Sequence, residues 1–483
     1  MSPVEFSCDL KTASEPLPHF WEHTVGSGHA TLALRSDWQK QLTRCRRDLG
    51  FRHVRFHGLL SDDMGTLTNQ NKKLIYSFFN IDQIMDFLLS IGMRPFLELS
   101  FMPEALASGH KTVFHYKANV TPPKDHDAWA ELIKKLATHW IRRYGANEVE
   151  KWFFEIWNEP NLKAFWTGSK QDYFKFYKTT AAALKKVDKK IKVGGPATAK
   201  NEWLPEFVKF CSRQEVPLDF VSTHHYPTDA FGKPGDDTKA QLKASHRSVL
   251  REEAKKAKHE VGKKPLYYTE WASSSNPFDE MHDEPYAAAF ILKTVMEARP
   301  FVEGYSYWTF SDIFEENYFS SQPFHGGFGL QTIYGTPKPS YRAYELLHSL
   351  GDQIYKVSGS HATVDAWVIR GPSKVQVLVT NGSLPGHPIR SEDVRLQLKN
   401  VGSFQTAYLE RIDDAHANAK RKWIEMGSPS TLLPREVHTL EAASSLKKQV
   451  IQLKSKKGLT IIDLTVPSQG SVLITLESKS ERT

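Results

Sequence analysis

Lys151-Trp152-Phe153-Phe154-Glu155-Ile156-Trp157-Asn158-Glu159-Pro160-Asn161 is an apolar, aromatic-rich run that breaks into Asn-Glu-Pro. A strand buried on both faces reads as a continuous apolar run, and proline ends its hydrogen-bond ladder. Asn158 and Glu159 are therefore expected at the carboxyl end of a buried parallel strand, where α/β folds carry their chemistry. A second short run, Pro265-Leu266-Tyr267-Tyr268-Thr269-Glu270-Trp271, also ends on a glutamate between aromatic neighbours. Either glutamate alone reads as a cap for the next helix. Together, at two strand ends, they point to an acid/base and a nucleophile.

Outward from this run, strand-like and helix-like segments alternate. Phe20 to Gly26 reads as a first strand and Asp37 to Leu49, apolar at helical spacing, as its helix. Phe51 to His57 is followed by Ile81 to Ile91, and Met93 to Ser100 by Trp129 to Tyr144 after a long insertion. Trp152 to Trp157 is followed by Tyr173 to Val187, Ile191 to Gly194 by Trp203 to Cys211, and Phe220 to Thr223 by Ala244 to Val261. Leu266 to Thr269 precedes Tyr286 to Ala298, and Gly304 to Phe310 precedes Tyr341 to Leu350. Eight such units predict a (β/α)₈ barrel over residues 14–350. A doubly wound open sheet is the alternative, but Gly26-Ser27-Gly28 is a weak match to a phosphate-binding turn. After Leu350 the pattern becomes period-two runs such as Val375 to Val379, Val394 to Leu398 and Ser471 to Leu476, which predict an antiparallel β-sandwich. Residues 1–13 are expected to join that accessory domain with 351–483.

The chain has 483 residues and a net charge of +8, enough length for a main domain and a smaller one. Its basic residues are dispersed and mixed with acids, as on solvated helix faces, so nucleic acid is not the expected partner. Cys8, Cys45 and Cys211 lie far apart without metal spacing, which favours a reducing compartment. No apolar segment suits a signal peptide or a membrane span, so a cytoplasmic location is expected. Oligomeric state is not legible.

The other strand ends are polar. They read Arg55-Phe56-His57-Gly58, His224-His225-Tyr226 and Tyr307-Trp308-Thr309-Phe310-Ser311-Asp312, followed by Glu315-Glu316. A barrel gathers these into one ring with Glu159 and Glu270. A metal site from His57, His224 and His225 is disfavoured, because adjacent strand residues face opposite ways and no metal-binding spacing is present. Trp157, Trp271 and Trp308 serve either packing or sugar stacking; ring faces beside carboxylates are what a pyranose needs.

These motifs, with Phe154 to Leu162, Gly194-Gly195-Pro196, Ser306 to Asp312, Phe324-His325-Gly326-Gly327-Phe328-Gly329-Leu330 and the tail from His416 to Gly427, resemble glycoside hydrolase family 39 and within it the β-xylosidases. The resemblance covers residues 20–350. It implies Glu159 as acid/base, Glu270 as nucleophile and Asn158 on the sugar 2-hydroxyl, with no metal or cofactor. His57, His224, Tyr226, Trp308 and either Glu315 or Glu316 would line the sugar pocket. Thr269-Glu270-Trp271 and His224-His225-Tyr226 depart from the family's usual Thr-Glu-Tyr-Asn and His-Ala-Tyr, which bears on substrate preference. The expected reaction is double displacement with retention, releasing xylose from non-reducing ends of xylo-oligosaccharides; retention requires carboxyls about 5–5.5 Å apart. A related exo-glycosidase for arabinosides, galactosides or uronides and a catalytically silent carbohydrate-binding protein are the alternatives.

Overall fold

The computed structural model describes residues 2–228, 237–317 and 319–478. Eight parallel strands close in chain order: β1 (Thr24–His29), β2 (His53–His57), β3 (Arg94–Glu98), β4 (Phe153–Glu155), β5 (Lys192–Thr198), β6 (Phe220–His225), β7 (Leu266–Trp271) and β8 (Gly304–Tyr307). Tyr307 pairs with Val25 and closes the ring. The helices that return the chain are Ser36–Leu49, Phe79–Ser90, His126–Tyr144, Lys170–Val187, Leu204–Arg213, Val249–Val261, Pro285–Ala298 and Pro339–His348. The helix predicted from Ala244 to Val261 starts later, as Val249–Val261, and a separate short helix, Thr238–Ala244, precedes it. The (β/α)₈ expectation is met.

Local chemistry explains several boundaries. Asp125 accepts from the amides of Asp127 and Ala128 at 2.8 and 3.2 Å, starting His126–Tyr144. Ser169 and Asp172 form a reciprocal capping box at 3.1 and 2.9 Å before Lys170–Val187. Each cap satisfies amides that helix geometry leaves unpaired, contributing roughly 0.5–2 kcal/mol. Gly50 ends Ser36–Leu49 at φ +75°, a conformation that disfavours any side chain.

The barrel interior is layered. Its floor is Phe96, Phe153, Phe220 and Tyr267, with Phe96 and Phe153 stacked at 5.1 Å and His53 edge-on to Phe153 at 5.4 Å. Strand alternation then carries β2 upward through Arg55 to His57, on the same face as His53. β7 departs from that alternation. Thr223 pairs with Tyr268 but His224 with Glu270, so Thr269 is an extra, bulged residue. Thr269 and Glu270 consequently both reach inward, Thr269 to Glu155 at 2.8 Å and Glu270 to Arg55 at 2.8 Å.

Two sheets form the accessory region. One has the strand order Val4–Asp9, Glu392–Lys399, Leu459–Val466 and Lys454–Lys456. The other runs Ser14–Pro16, Gln353–Tyr355, Val364–Gly371, Lys374–Asn381, Gly470–Glu477, Thr406–Ile412 and Gln449–Val450. Pairing is antiparallel except that Val4–Asp9 lies parallel to Glu392–Lys399. Ser14–Pro16 pairs with Gln353–Tyr355, so these residues lie in the sandwich although the sequence reading gives them to the barrel. Phe6, Val377, Leu396, Ile462 and Ile474 share the core between the sheets. Helix Pro285–Ala298, buried on nearly every side, packs between barrel and sandwich, and Arg247 bridges the two by pairing with Asp365 at 2.5 Å. No helix among the described residues is long and apolar enough to cross a membrane.

Because the floor is aromatic and closely packed, Phe153→Ala should lower the free energy of unfolding by about 3–5 kcal/mol. Urea unfolding should show a lower midpoint at unchanged slope, and a loss below about 1 kcal/mol would contradict a closely packed floor.

Candidate active site

Arg55 is fully buried at the barrel centre, and its guanidinium is bonded on every side. Nε donates to Glu155 Oε2 at 2.6 Å, Nη1 to Glu270 Oε1 at 2.8 Å, and Nη2 to Asn158 Oδ1 at 2.9 Å and Glu98 Oε2 at 2.8 Å. A planar fork of donors suits several fixed acceptors as an ammonium would not. Since Arg55 takes the Asn158 oxygen, the Asn158 amide NH₂ is left to face the pocket. His57 Nδ1 lies 2.6 Å from Glu98 Oε2, and its Nε2 lies 3.5 Å from Glu316 and 3.7 Å from Glu270.

The two predicted glutamates meet here. Glu159 follows β4 after a turn in which Trp157 and Glu159 have φ of +75° and +42°, and its amide donates to the Ala197 carbonyl at 2.8 Å. Its Oε1 lies 2.9 Å from His224 Nδ1. Glu270 Oε2 accepts from the Tyr226 hydroxyl at 3.0 Å and lies 3.6 Å from the same His224 nitrogen. One oxygen of each glutamate lies within 4.8 Å of the other. Glu159, His224 and Glu270 could thus turn one donor atom each toward a cation, but Arg55 already supplies positive charge to Glu270.

Environment separates the pair. Burial pushes the Glu159 carboxyl well above the usual range, and the nearby Glu270 charge pushes it further. Burial also raises Glu270, but Arg55 and His57 oppose it, so the upward shift is the stronger one at Glu159. Burial lifts Glu316 to about 8 against the pull of His57. Burial opposes the charged form of His57, yet Glu98, Glu270 and Glu316 outweigh it and its pKa rises. His224 goes the other way: burial, then Arg55 and His57, hold it well below its ordinary value and keep it neutral.

His57, Asn158, Glu159, Tyr226, Glu270, Trp308 and Glu316 line one cavity of about 160 Å³, and His224 stands behind the two glutamates. Of the two candidates left open, Glu316 enters the pocket while Glu315 turns away to pair with Arg35. Glu315 has φ +51°, which reverses the backbone and sends the neighbours in opposite directions. Trp308 is at the wall, its ring 4.8 Å from that of His57. Trp157 and Trp271 are packing residues: Trp157 donates to the Phe165 carbonyl at 2.8 Å, and Trp271 stacks on Tyr305 at 4.2 Å. His225 faces outward, bonded to Tyr305 at 2.7 Å, so the three histidines do not converge.

Sequence reasoning missed Glu98 and Glu155 as partners of Arg55, although each interrupts an apolar strand run as Glu159 does. It also missed Phe114, Phe165, Ser275, Pro277, Asn317 and Phe328 in the wall. Phe114 lies in the long insertion, where no periodicity marks it; Phe328 sits inside a quoted motif with nothing to give its direction. A larger space of about 510 Å³ lies in the sandwich beside Arg370, Lys374 and Phe404, but among the described residues lining it Asp352 is the single carboxylate.

With this geometry, the sequence profile described as glycosyl hydrolases family 39 matches residues 4–460. The chain belongs to glycosyl hydrolase family 39. It is 50% identical over 467 residues to a β-xylosidase of Caldicellulosiruptor saccharolyticus, covering 95% of each chain. It is 36% identical over 485 residues to a β-xylosidase of Geobacillus stearothermophilus, covering 96% of this chain and 94% of that one. The solved structure of a family 39 β-xylosidase from Caulobacter crescentus superposes with TM-score 0.83 at 32% identity, covering 98% of this chain and 99% of that one.

Removing the central cation should leave buried carboxylates without a counter-charge. Arg55→Met is expected to destabilise the fold by about 3–5 kcal/mol at neutral pH. Glu98, whose carboxyl is held below its ordinary value with help from Arg55 and His57, contributes stability that is present above its unfolded pKa and lost as pH falls. Without Arg55 the burial of Glu98 is opposed by less positive charge and Glu270, already raised, rises further, so the penalty should shrink as pH falls and these two take up protons. Urea unfolding at pH 7 and pH 5 checks this; an equal penalty at both would refute it.

Proposed function

We propose that this family 39 glycosidase is a retaining exo-β-xylosidase that cleaves xylose from the non-reducing ends of xylo-oligosaccharides, with Glu159 as acid/base and Glu270 as nucleophile. The observation that carries this reading is the pair of carboxyls, with oxygens within 4.8 Å in one pocket, where burial and the neighbouring Glu270 charge raise the Glu159 pKa. That spacing suits retention, which needs about 5–5.5 Å, and not inversion at about 6.5–9.5 Å. A cavity of about 160 Å³ has room for one sugar ring rather than a chain, which favours exo action.

Glu270, aimed by Arg55 and Tyr226, attacks the anomeric carbon while Glu159 protonates the departing oxygen. The C–O bond to the leaving group breaks and a glycosyl ester to Glu270 forms. Esterification removes the Glu270 charge, which lowers the Glu159 pKa and readies it to take a proton from water. That water attacks the same carbon, releases Glu270 and restores the starting configuration. The Asn158 amide is placed to donate to the 2-hydroxyl, and His57, Glu316 and Trp308 surround the rest of the ring. No step calls for a metal or cofactor.

A uronide substrate would need a cation for its carboxylate. Among the described residues lining the pocket there is no lysine or arginine, and Glu316 stands there instead. Arabinosides and galactosides remain the comparison substrates, and a panel of nitrophenyl glycosides should show the xyloside preferred. A cytoplasmic location belongs to the same reading, supported by three buried free cysteines.

Glu270→Ala should abolish turnover of aryl xylosides, and azide should revive it by forming the α-xylosyl azide in the space left. NMR of the wild-type product at early times should give β-xylose; α-xylose would refute a nucleophilic Glu270. Glu159→Ala should slow xylobiose hydrolysis roughly 10²–10⁴-fold but dinitrophenyl xyloside cleavage far less. With the latter substrate a burst followed by a slow, azide-accelerated phase yielding the β-azide is expected. Equal losses on both substrates without a burst would assign the proton to another group.

A further inference from the structure

Behind Glu159 runs a chain of hydrogen bonds whose donors are dictated one after another. Glu155, held by Arg55 at 2.6 Å, accepts only. The Thr269 hydroxyl lies 2.8 Å from Glu155 Oε1 and has a single proton, which it gives to that oxygen. His224 Nε2 lies 3.1 Å from the same hydroxyl oxygen, which now has lone pairs alone to offer, so the imidazole donates from Nε2. His224 is fully buried and faces the positive charge of Arg55 and the imidazoles of His57 and His225, so it carries no second proton. Its Nδ1 is therefore a bare lone pair, 2.9 Å from Glu159 Oε1.

We propose that Thr269 and Glu155 lock His224 in its Nε2–H form, so that its Nδ1 lone pair holds the catalytic proton on Glu159. This rests on Glu159 being the acid/base as read above. Two heavy atoms 2.9 Å apart share one proton, and with Nδ1 bare the proton belongs to Glu159 Oε1. When Glu159 ionises, lone pair faces lone pair. The imidazole could relieve this by moving its proton to Nδ1, but then Nε2 would require the Thr269 proton and Glu155 Oε1 would lose its donor inside the barrel. Leaving a buried acceptor unsatisfied is costly, so the tautomer resists the change. Thr269 and Glu155 are thus positioning residues acting through His224, distinct from the charged and titratable groups that also face Glu159: Arg55 on β2, Glu98 on β3, the Tyr226 hydroxyl after β6, Glu270 on β7 and Glu316 beyond β8.

The consequence concerns both half-reactions. A bare Nδ1 favours the acid form of Glu159 in the free enzyme, and after the proton has gone to the leaving group it makes Glu159 a stronger base toward the incoming water. The bulge in β7 makes this possible, since it turns Thr269 inward beside Glu270 instead of to the opposite face.

Nitrogen NMR of wild-type enzyme carrying ¹⁵N-histidine tests the tautomer directly, with the His224→Gln spectrum identifying the signals. At neutral pH, a protonated Nε2 and an unprotonated Nδ1 are expected; a proton on Nδ1 would overturn the proposal. Thr269→Val removes the hydroxyl at nearly constant volume and frees the ring to donate to ionised Glu159. The alkaline limb of kcat/KM should then move down by about one pH unit, with a larger loss on xylobiose than on dinitrophenyl xyloside. Thr269→Ser should restore both. A uniform loss at every pH and on every substrate would mean that Thr269 merely packs, and would sink the relay while leaving the xylosidase reading intact. A wild type inactive on all xylosides would fail that reading instead, and the NMR result would still decide the tautomer.

Discussion

One guanidinium organises the centre of this protein. Arg55 is sealed from water, and charge in such a place is tolerated only when paired and hydrogen-bonded. Glu98, Glu155 and Glu270 meet that requirement from three strands, and Asn158 from the turn after β4. An apolar plug of similar volume would hold a barrel together at least as well, so the ion cluster is better understood through the directions it imposes. It fixes one oxygen of Glu270, orients the Asn158 amide and keeps Glu155 as an acceptor for Thr269. Each of these constraints ends at the sugar pocket.

The vertical order of the barrel follows from the same physics. Four aromatic rings close the lower end and exclude water beneath Arg55. Above them the charged layer sits in a low-dielectric surround, where its interactions are strong and reorganise little. In the pocket and just behind it, protonation is set by depth and neighbours: Glu159 and Glu316 are lifted, Glu98 is held down, and His224 is kept neutral. Carboxyls of one chemical type thereby acquire different roles.

The sandwich contributes from outside. Val4–Asp9 and Ser14–Pro16 enter its two sheets before the barrel begins, so the accessory region joins the two ends of the sequence around the catalytic one. Its helices Ala419–Glu425 and Pro434–Ser444 pack Trp423 and Leu440 in a cluster with Phe324, at the edge of the Phe324–Leu330 loop that supplies Phe328 to the pocket wall. The tail segment from His416 to Gly427, read from sequence as part of the accessory region, thus buttresses a loop of the site.

Much of this was legible in one dimension because buried parallel strands are written as apolar runs, and because a carboxylate at the end of such a run is expensive enough to need a reason. The barrel strands, the pair Glu159 and Glu270, and the polar strand ends follow from that rule, and the helices from apolar residues at helical spacing. Periodicity cannot say which of two adjacent residues turns inward once the backbone leaves its regular form. A left-handed turn at Glu315 decided that Glu316 and not its neighbour enters the pocket, and a one-residue bulge decided that Thr269 joins Glu270 inside the barrel. The bonding of Arg55 lay equally out of reach, since its four partners are distant in sequence and meet only when the sheet closes. Composition and pattern determined which residues had to be buried and near which end; closure of the barrel decided which of them touch, and hydrogen-bond satisfaction inside it decided where the protons reside.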